Sequence, residues 1–132
     1  MSPVSCPRCE APTVAFAVPV ALREYVDGAS AASICIDCLL LEPLDDTVEP
    51  VVPEHAEFDP LPFSDGEGGA ATALAVGLLD SLALNRSAIE ACLEHAEREG
   101  ADVFLALDRL AESDVNPSFD PAKRKAQLEN LL

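Results

Sequence analysis

The 132-residue sequence lacks tryptophan and has few aromatic residues, few basic residues and no long uninterrupted apolar run. Aromatic residues make up only 5% of the chain, whereas 21 residues are alanine, so the core must be built mainly from Ala, Val and Leu and is thin for this length. A chain of this size forms one compact domain, or a small metal-held module joined to a second small one. It is too short to be a multidomain enzyme.

Basic residues are scarce, since eight Lys and Arg stand against 24 Asp and Glu and the formal net charge is −16. The excess is spread along the chain, because residues 1–46, 47–68 and 69–132 carry −5, −6 and −5. This balance disfavours direct binding to nucleic-acid phosphates or to an anionic lipid surface. Because molar salt screens such repulsion, the composition predicts a halophilic, acidic protein of a salt-rich cytoplasm.

The sequence contains no recognisable targeting or membrane-spanning segment. Residues 1–10 lack the basic start and the apolar stretch of a secretory signal. The most apolar run, Ala70–Leu84, is interrupted by Gly77 and Asp80 and falls short of the roughly 18–20 apolar residues that a spanning helix needs. We therefore expect no membrane association and a cytoplasmic protein, in which thiols stay reduced.

Four of the five cysteines form two pairs near the N-terminus. Cys6 and Cys9 are followed, after 25 intervening residues, by Cys35 and Cys38. A Cys-x-x-Cys turn directs two sulfurs toward one point, and two such turns together supply the four thiolates of a tetrahedral Zn²⁺ site. A site with four sulfur ligands has no open position, so the pattern predicts a structural metal whose binding stabilises the fold.

Other chemistries use similar cysteine patterns. Iron in a rubredoxin-like site takes the same four ligands and stays an open alternative, with electron transfer as its function. Two disulfides are disfavoured by the reducing compartment and by the spacing. Redox catalysis by one Cys-x-x-Cys pair needs a strand-to-helix setting that lowers a thiol pKa, whereas each pair here lies beside β-type sequence. Zinc is the favoured metal.

The whole pattern predicts an α+β protein of three regions. Residues 1–42 are expected to form a zinc-ribbon-like module, with β-type sequence at Thr13–Val18 and Ser33–Leu41. A short helix is expected between the cysteine pairs, at Val20–Val26. Residues 43–68 are rich in proline and acids and predict an extended linker. As an alternative, four apolar residues of this stretch are placed to pair on a sheet edge: Val48, Val51, Val52 and Phe58.

Residues 69–132 are expected to form a helical module. Its first helix, Ala70–Leu84, is apolar on nearly every face, which indicates burial by neighbouring helices or by a second copy of the chain. A homodimer through this helix is therefore one expectation. The ends of the remaining helices are marked by capping residues, which are Ser87 with Glu90, then Gly100, Asp102, and Asp120 with Pro121.

The cysteine motifs resemble those of the zinc-ribbon class, in particular the small CPxCG-type zinc-finger proteins of haloarchaea. The resemblance covers about residues 4–42 and rests on the Cys-Pro-Arg-Cys opening, the apolar strand and the second Cys-x-x-Cys. Taken whole, the chain resembles an uncharacterised haloarchaeal family of unknown function. It departs from the usual knuckle pattern because Glu10 and Leu39, rather than glycine, follow the two pairs. Since glycine relieves the strain of a positive φ, we expect at least one turn to differ from ribbon geometry.

The remaining chemistry-bearing residues suggest no second site. Cys92 and His95 have a Cys-x-x-His spacing, but a metal would need two more ligands, and His55 is the only other histidine. We interpret Cys92 as a core residue and His95 as facing solvent at the edge of its helix. The acids around them are interpreted as a solvated face, namely Glu90, Glu94 and Glu97.

The sequence thus predicts a non-enzymatic zinc protein that acts as an adaptor or regulator through protein contacts. No catalytic set and no phosphate-binding loop is recognisable. The alternative from another class is a transcription or translation factor associated with nucleic acid. It would use the basic run of residues 123–125 or a partner protein, because the cysteine region has only Arg8 and Arg23 among many acids.

Overall fold

The computed structural model describes residues 5–44, 58 and 61–131. It is an α+β fold with a small antiparallel sheet at the N-terminus, followed by helices. The strands are β1 (Thr13–Ala17), β2 (Ala31–Cys35) and β3 (Leu41–Leu44). The helices are α1 (Glu67–Leu78), α2 (Arg86–Arg98), α3 (Val103–Ala111) and α4 (Pro121–Leu131). The predicted fold class is confirmed.

The sheet has the order β1-β2-β3, so each strand pairs with its neighbour in sequence. Its register places Thr13 opposite Cys35 and Ala31 opposite Leu44. The β-type sequence predicted at Ser33–Leu41 is confirmed only in part, because β2 ends at Cys35, where the chain reverses, and β3 begins at Leu41. The second cysteine pair forms this reversal, in which the Cys35 amide donates to the Leu40 carbonyl at 3.0 Å.

The predicted short helix between the cysteine pairs is present as a 3₁₀ helix, Val20–Val26. Leu22 and Val26 are buried, while Tyr25 is half-buried and packs against the same core. The helix ends at Asp27, which lies at φ 58°, and Gly28 follows at φ 76°. Two successive left-handed residues turn the chain back toward β2.

Helix α1 lies in the centre of the fold and is covered on all sides within this chain. Every residue from Gly68 to Gly77 is buried. A Cβ at Gly77 would overlap the side chain of Leu41 in β3, and a Cβ at Gly69 would overlap the carbonyl oxygen of Ser64. Glycine at both positions therefore permits the close approach of α1 to the sheet and to the segment before it.

The boundaries of α1 differ from the expected Ala70–Leu84. The helix begins at Glu67 and ends at Leu78, and a 3₁₀ turn, Leu79–Ser81, follows it. Asn85 donates through Nδ2 to the Leu78 carbonyl at 3.1 Å, which satisfies a carbonyl at the helix end and fixes the turn into α2. The last part of the predicted helix is therefore a connection.

The predicted capping box of α2 is wrong, whereas the other caps are confirmed. Helix α2 begins at Arg86, one residue before Ser87, and Glu90 pairs with Arg86 at 3.2 Å. Gly100 follows its end at φ 79°. Asp102 caps α3 by accepting from the Leu105 amide at 3.0 Å. Asp120 likewise accepts from the amides at the start of α4, at 3.0 and 3.2 Å.

One hydrophobic core contains side chains from the sheet and from the helices. At its centre, the ring of Phe58 makes edge-to-face contacts with Phe16 at 5.3 Å and Phe63 at 5.8 Å. Phe58 is thus a core residue and not a member of a sheet edge. The other residues predicted for that edge, Val48, Val51 and Val52, lie outside the described residues.

The division of the chain into regions 1–42, 43–68 and 69–132 stays a prediction. Strand β3 extends to Leu44 and α1 begins at Glu67, so both elements cross the predicted boundaries. Among the described residues, no helix combines the length and the apolar character needed to cross a bilayer.

Candidate metal centre

The four N-terminal cysteines meet at one point at the end of the sheet. The sulfurs of Cys6, Cys9, Cys35 and Cys38 all lie within 4.8 Å of one another. Two of the distances join the pairs, 3.4 Å between Cys9 and Cys35 and 3.5 Å between Cys6 and Cys38. A tetrahedron of sulfurs around Zn²⁺, with bonds of about 2.3 Å, has edges of about 3.8 Å. The cluster therefore has the size of a four-sulfur metal site.

The two cysteine turns have matching hydrogen bonds. In the first, the Cys6 amide donates to the Ala11 carbonyl at 2.8 Å, and in the second the Cys35 amide donates to the Leu40 carbonyl at 3.0 Å. The amide two residues after each leading cysteine donates to its sulfur, from Arg8 to Cys6 and from Asp37 to Cys35, both at 3.4 Å. Amide donors of this kind stabilise negative charge on a thiolate.

The residues that follow the pairs adopt the conformation expected of glycine. Glu10 lies at φ 66° and Leu39 at φ 62°. We expected at least one turn to differ from ribbon geometry because glycine is missing. For the angle φ this expectation is wrong, since both residues have the positive value that glycine usually adopts there. A left-handed conformation costs a residue with a Cβ about 1–2 kcal/mol. Burial of Leu39 in the main core offsets part of this strain at the second turn.

The two turns differ in exposure. Cys9 is exposed together with its neighbours in the first turn, whereas Cys35 and Cys38 are buried. Cys6 is also buried. A metal at this point would thus be shielded by the second turn and reached by solvent from the first.

The surroundings shift the pKa values of three of these thiols in different directions. For Cys6, burial opposes ionisation, but amide donors from Cys9 and Arg8 lower its pKa to about 7. Burial raises the pKa of Cys38 to about 12 and also raises the pKa of Cys35. A metal cation must displace the remaining protons, because thiolates are the ligands.

The donor set determines what this site can do. Four thiolates suit Zn²⁺ or iron, and they leave no position for a substrate. The described residues contain no other group of three or more cysteine, histidine or acidic side chains placed to hold a metal. Such a four-sulfur set, if it holds a metal, suits a structural or an electron-transferring ion, and the donors do not identify the metal.

Cys92 and His95 lie away from the cluster, on α2. Cys92 is a buried core residue, as predicted. The prediction that His95 faces solvent is wrong, because its Nε2 lies 2.8 Å from Oε1 of Glu67 on α1 and its side chain is only 15% exposed. The acids at positions 90, 94 and 97 are exposed, as predicted. His55 lies outside the described residues.

One neighbour of the cluster comes from a distant part of the chain and was not predicted. Asn116, in the connection between α3 and α4, donates through its amide to the Asp37 carbonyl at 2.9 Å. Its side-chain Nδ2 also donates to Asp37 Oδ1 at 3.2 Å. The two residues are 79 positions apart, so no local pattern points to the contact.

Comparison with known proteins supplies one match. The model of a family of unknown function (DUF6276) matches residues 5–132. No curated protein and no solved structure matches the chain.

Proposed function

The chain belongs to this family of unknown function, and from that premise we propose that it is a zinc protein without catalytic activity. The observation that carries the proposal is the meeting of four cysteine sulfurs within 4.8 Å. Cys6, Cys9, Cys35 and Cys38 would hold one Zn²⁺ as a structural ion. We also propose that the cysteine region is a zinc-ribbon module of the haloarchaeal CPxCG type and that the protein is cytoplasmic.

A structural role suits the energetics of the fold. The sheet has only three short strands, and two turns each contain a left-handed residue with a side chain. Metal binding to such a module contributes free energy directly to folding, since the unfolded chain has no assembled site. We therefore expect the N-terminal region to depend on the ion for stability.

Metal analysis tests the site directly. Protein purified in molar salt under reducing conditions should be colourless and contain one zinc per chain. Cys35→Ser should lose the metal together with the fold of the sheet, whereas Cys92→Ala should keep it, because Cys92 lies in the helical core. Iron and colour in the parent would favour electron transfer, and absence of metal from a folded protein would contradict the proposal.

We propose further that the protein acts as an adaptor, through a groove between α2 and α3. The groove has a volume of about 640 Å³. Its apolar lining is formed by Leu93, Ala101, Val103 and Phe104. Its acidic lining is formed by Glu90, Glu94, Glu97 and Asp102. This combination is complementary in charge and polarity to a basic, amphipathic segment of a partner protein.

Exposed residues permit a matched test of the groove. Glu97→Lys reverses a charge in the groove, and Glu112→Lys reverses one at the end of α3 outside it. A partner that carries a basic amphipathic segment should be recovered with the parent and with Glu112→Lys, and lost with Glu97→Lys. Equal recovery with both variants would exclude this groove.

Direct nucleic-acid binding is not favoured by the environment of the basic run. Lys125 Nζ lies 2.9 Å from Asp108, and Arg124 donates to Gln127 at 2.8 Å. Two of the three basic side chains of this run therefore already have partners within the chain. Co-purification of RNA or DNA with the parent in molar salt would nevertheless favour the nucleic-acid alternative.

Self-association remains part of the proposal in a narrower form. The expected dimer helix, Ala70–Leu84, is buried within the chain through Gly77, so only its C-terminal end is accessible. Leu84 is 88% exposed there. A second copy of this chain would therefore make contact around Leu84.

A further inference from the structure

We infer that Asn116 is a positioning residue of the metal site, which couples metal binding to the connection between α3 and α4. This inference rests on the proposed zinc site. The two cysteine turns, matched in their backbone hydrogen bonds, differ in what covers them. Pro7, Arg8, Cys9 and Glu10 of the first turn are exposed, whereas the second turn is contacted from the helical part of the chain.

The contact holds the peptide groups around Asp37 from two sides. Two amides donate to Cys35 Sγ at 3.4 Å, those of Asp37 and Cys38, and they belong to the two peptide groups on either side of the Asp37 Cα. The Asp37 carbonyl and its Oδ1 accept from the amide and the side chain of Asn116, at 2.9 and 3.2 Å. Rotation of the Asp37 peptides away from the sulfur would break the bonds to Asn116.

Asn116 is itself held in place. Its Nδ2 also donates to the Asp114 carbonyl at 3.3 Å, which fixes the side chain over its own loop. The neighbouring Val115 packs against the main core, and Phe119 at the end of the connection is buried. The connection between α3 and α4 is therefore an anchored element that bears on the second turn.

Two consequences follow from linkage. If Asn116 stabilises the metal-binding conformation of the second turn, removing its side chain weakens metal binding, and removing the metal loosens the connection between α3 and α4. Mutation of a residue that orients a metal ligand through a hydrogen bond typically changes metal affinity 10- to 100-fold. Because Asn116 acts through Asp37 and its backbone amide remains in a variant, we expect a smaller loss, of about three- to tenfold.

The test measures Zn²⁺ affinity by competition with a chelator, in the full chain at molar salt. Asn116→Ala should weaken binding about three- to tenfold, and Ser118→Ala, an exposed change in the same connection, should leave affinity unchanged. Asn116→Asp should weaken binding further, since it replaces the donor by a carboxylate facing Asp37 Oδ1.

The reciprocal variant separates pairing from a general loss of structure. Asp37→Asn combined with Asn116→Asp restores one donor and one acceptor and should recover affinity relative to Asn116→Asp alone. Hydrogen exchange at residues 113–116 should also rise on metal removal more than exchange within α2.

The outcomes distinguish this inference from the function on which it rests. If the parent binds no metal, the zinc proposal and this inference both fail. If the parent binds zinc but Asn116→Ala and Ser118→Ala bind it equally, the zinc site stands and the role of Asn116 is overturned. Absence of recovery in the double variant, or unchanged exchange at residues 113–116, would also overturn it.

Discussion

Nε2 of His95 lies 2.8 Å from Oε1 of Glu67, and this contact joins α2 to the first turn of α1. The two side chains are only 15% and 28% exposed. A carboxylate in the first turn also interacts favourably with the helix dipole. The contact therefore links the two helices at the N-terminal end of α1. The opposite end of α1, at Gly77, packs against the sheet.

Removing this contact should lower stability measurably. Glu67→Ala is expected to reduce the free energy of unfolding by about 1 kcal/mol, because His95 then loses a partly buried hydrogen-bond partner. Urea unfolding of Glu67→Ala, His95→Ala and the double variant gives the coupling between the two residues. Glu94→Ala is the control, since its pair with Arg98 is exposed on both sides and contributes less than about 0.5 kcal/mol. A coupling of zero would contradict the prediction.

Gly77→Ala should destabilise the protein although alanine favours helices. The added Cβ would overlap Leu41 of β3, and such overpacking costs about 1–3 kcal/mol. Thermal unfolding of the variant checks the sign. If helix propensity decided the outcome, stability would instead rise by about 1 kcal/mol.

Cys92 should make stability decline at high pH. Burial raises the pKa of its thiol from 9.0 to about 12. The unfolded chain releases this proton near pH 9, so the stability that the neutral thiol contributes is fully present below that value and is lost as pH rises toward about 12. Urea unfolding with saturating metal should therefore show a shallower decline above pH 9 for Cys92→Ala than for the parent. Parallel declines would contradict this assignment.

Salt should stabilise the folded chain. With a net charge of −16, repulsion between carboxylates opposes the compact state, and the Debye length falls from about 10 Å at 0.1 M to about 3 Å at 1 M. The melting temperature should rise between 0.1 and 2 M sodium chloride. A fall would mean that attractive ion pairs, such as that of Lys125 with Asp108, outweigh the repulsion.

Leu84→Asp should abolish self-association if the proposed contact forms. The side chain is 88% exposed, so the change should leave the monomer fold intact, in contrast to substitution at the half-buried Leu78. Light scattering should show twice the chain mass for the parent and a single chain for the variant. A parent that is monomeric at every concentration would exclude this contact.

Local sequence signals predicted much of the architecture. The cap at Asp102, the glycine that follows α2 and the start of α4 depend on interactions within a few residues, so they were recognisable from the chain. The start of α2 was not, because the side chain of Asn85 donates to the Leu78 carbonyl instead of capping its own helix. The boundaries of α1 were also missed, because Gly69 and Gly77 are selected by close approach to other segments.

Two Cys-x-x-Cys motifs were enough to predict one four-sulfur site, because the spacing within each pair is a local property of a turn and two such turns supply four ligands. The contacts made around these cysteines and by His95 depend instead on how distant segments pack. Asn116 reaches Asp37 from 79 residues away, and His95 turns from the expected solvent face to Glu67. Both contacts depend on how helices and sheet pack together, and packing between distant segments leaves no periodic mark in the chain.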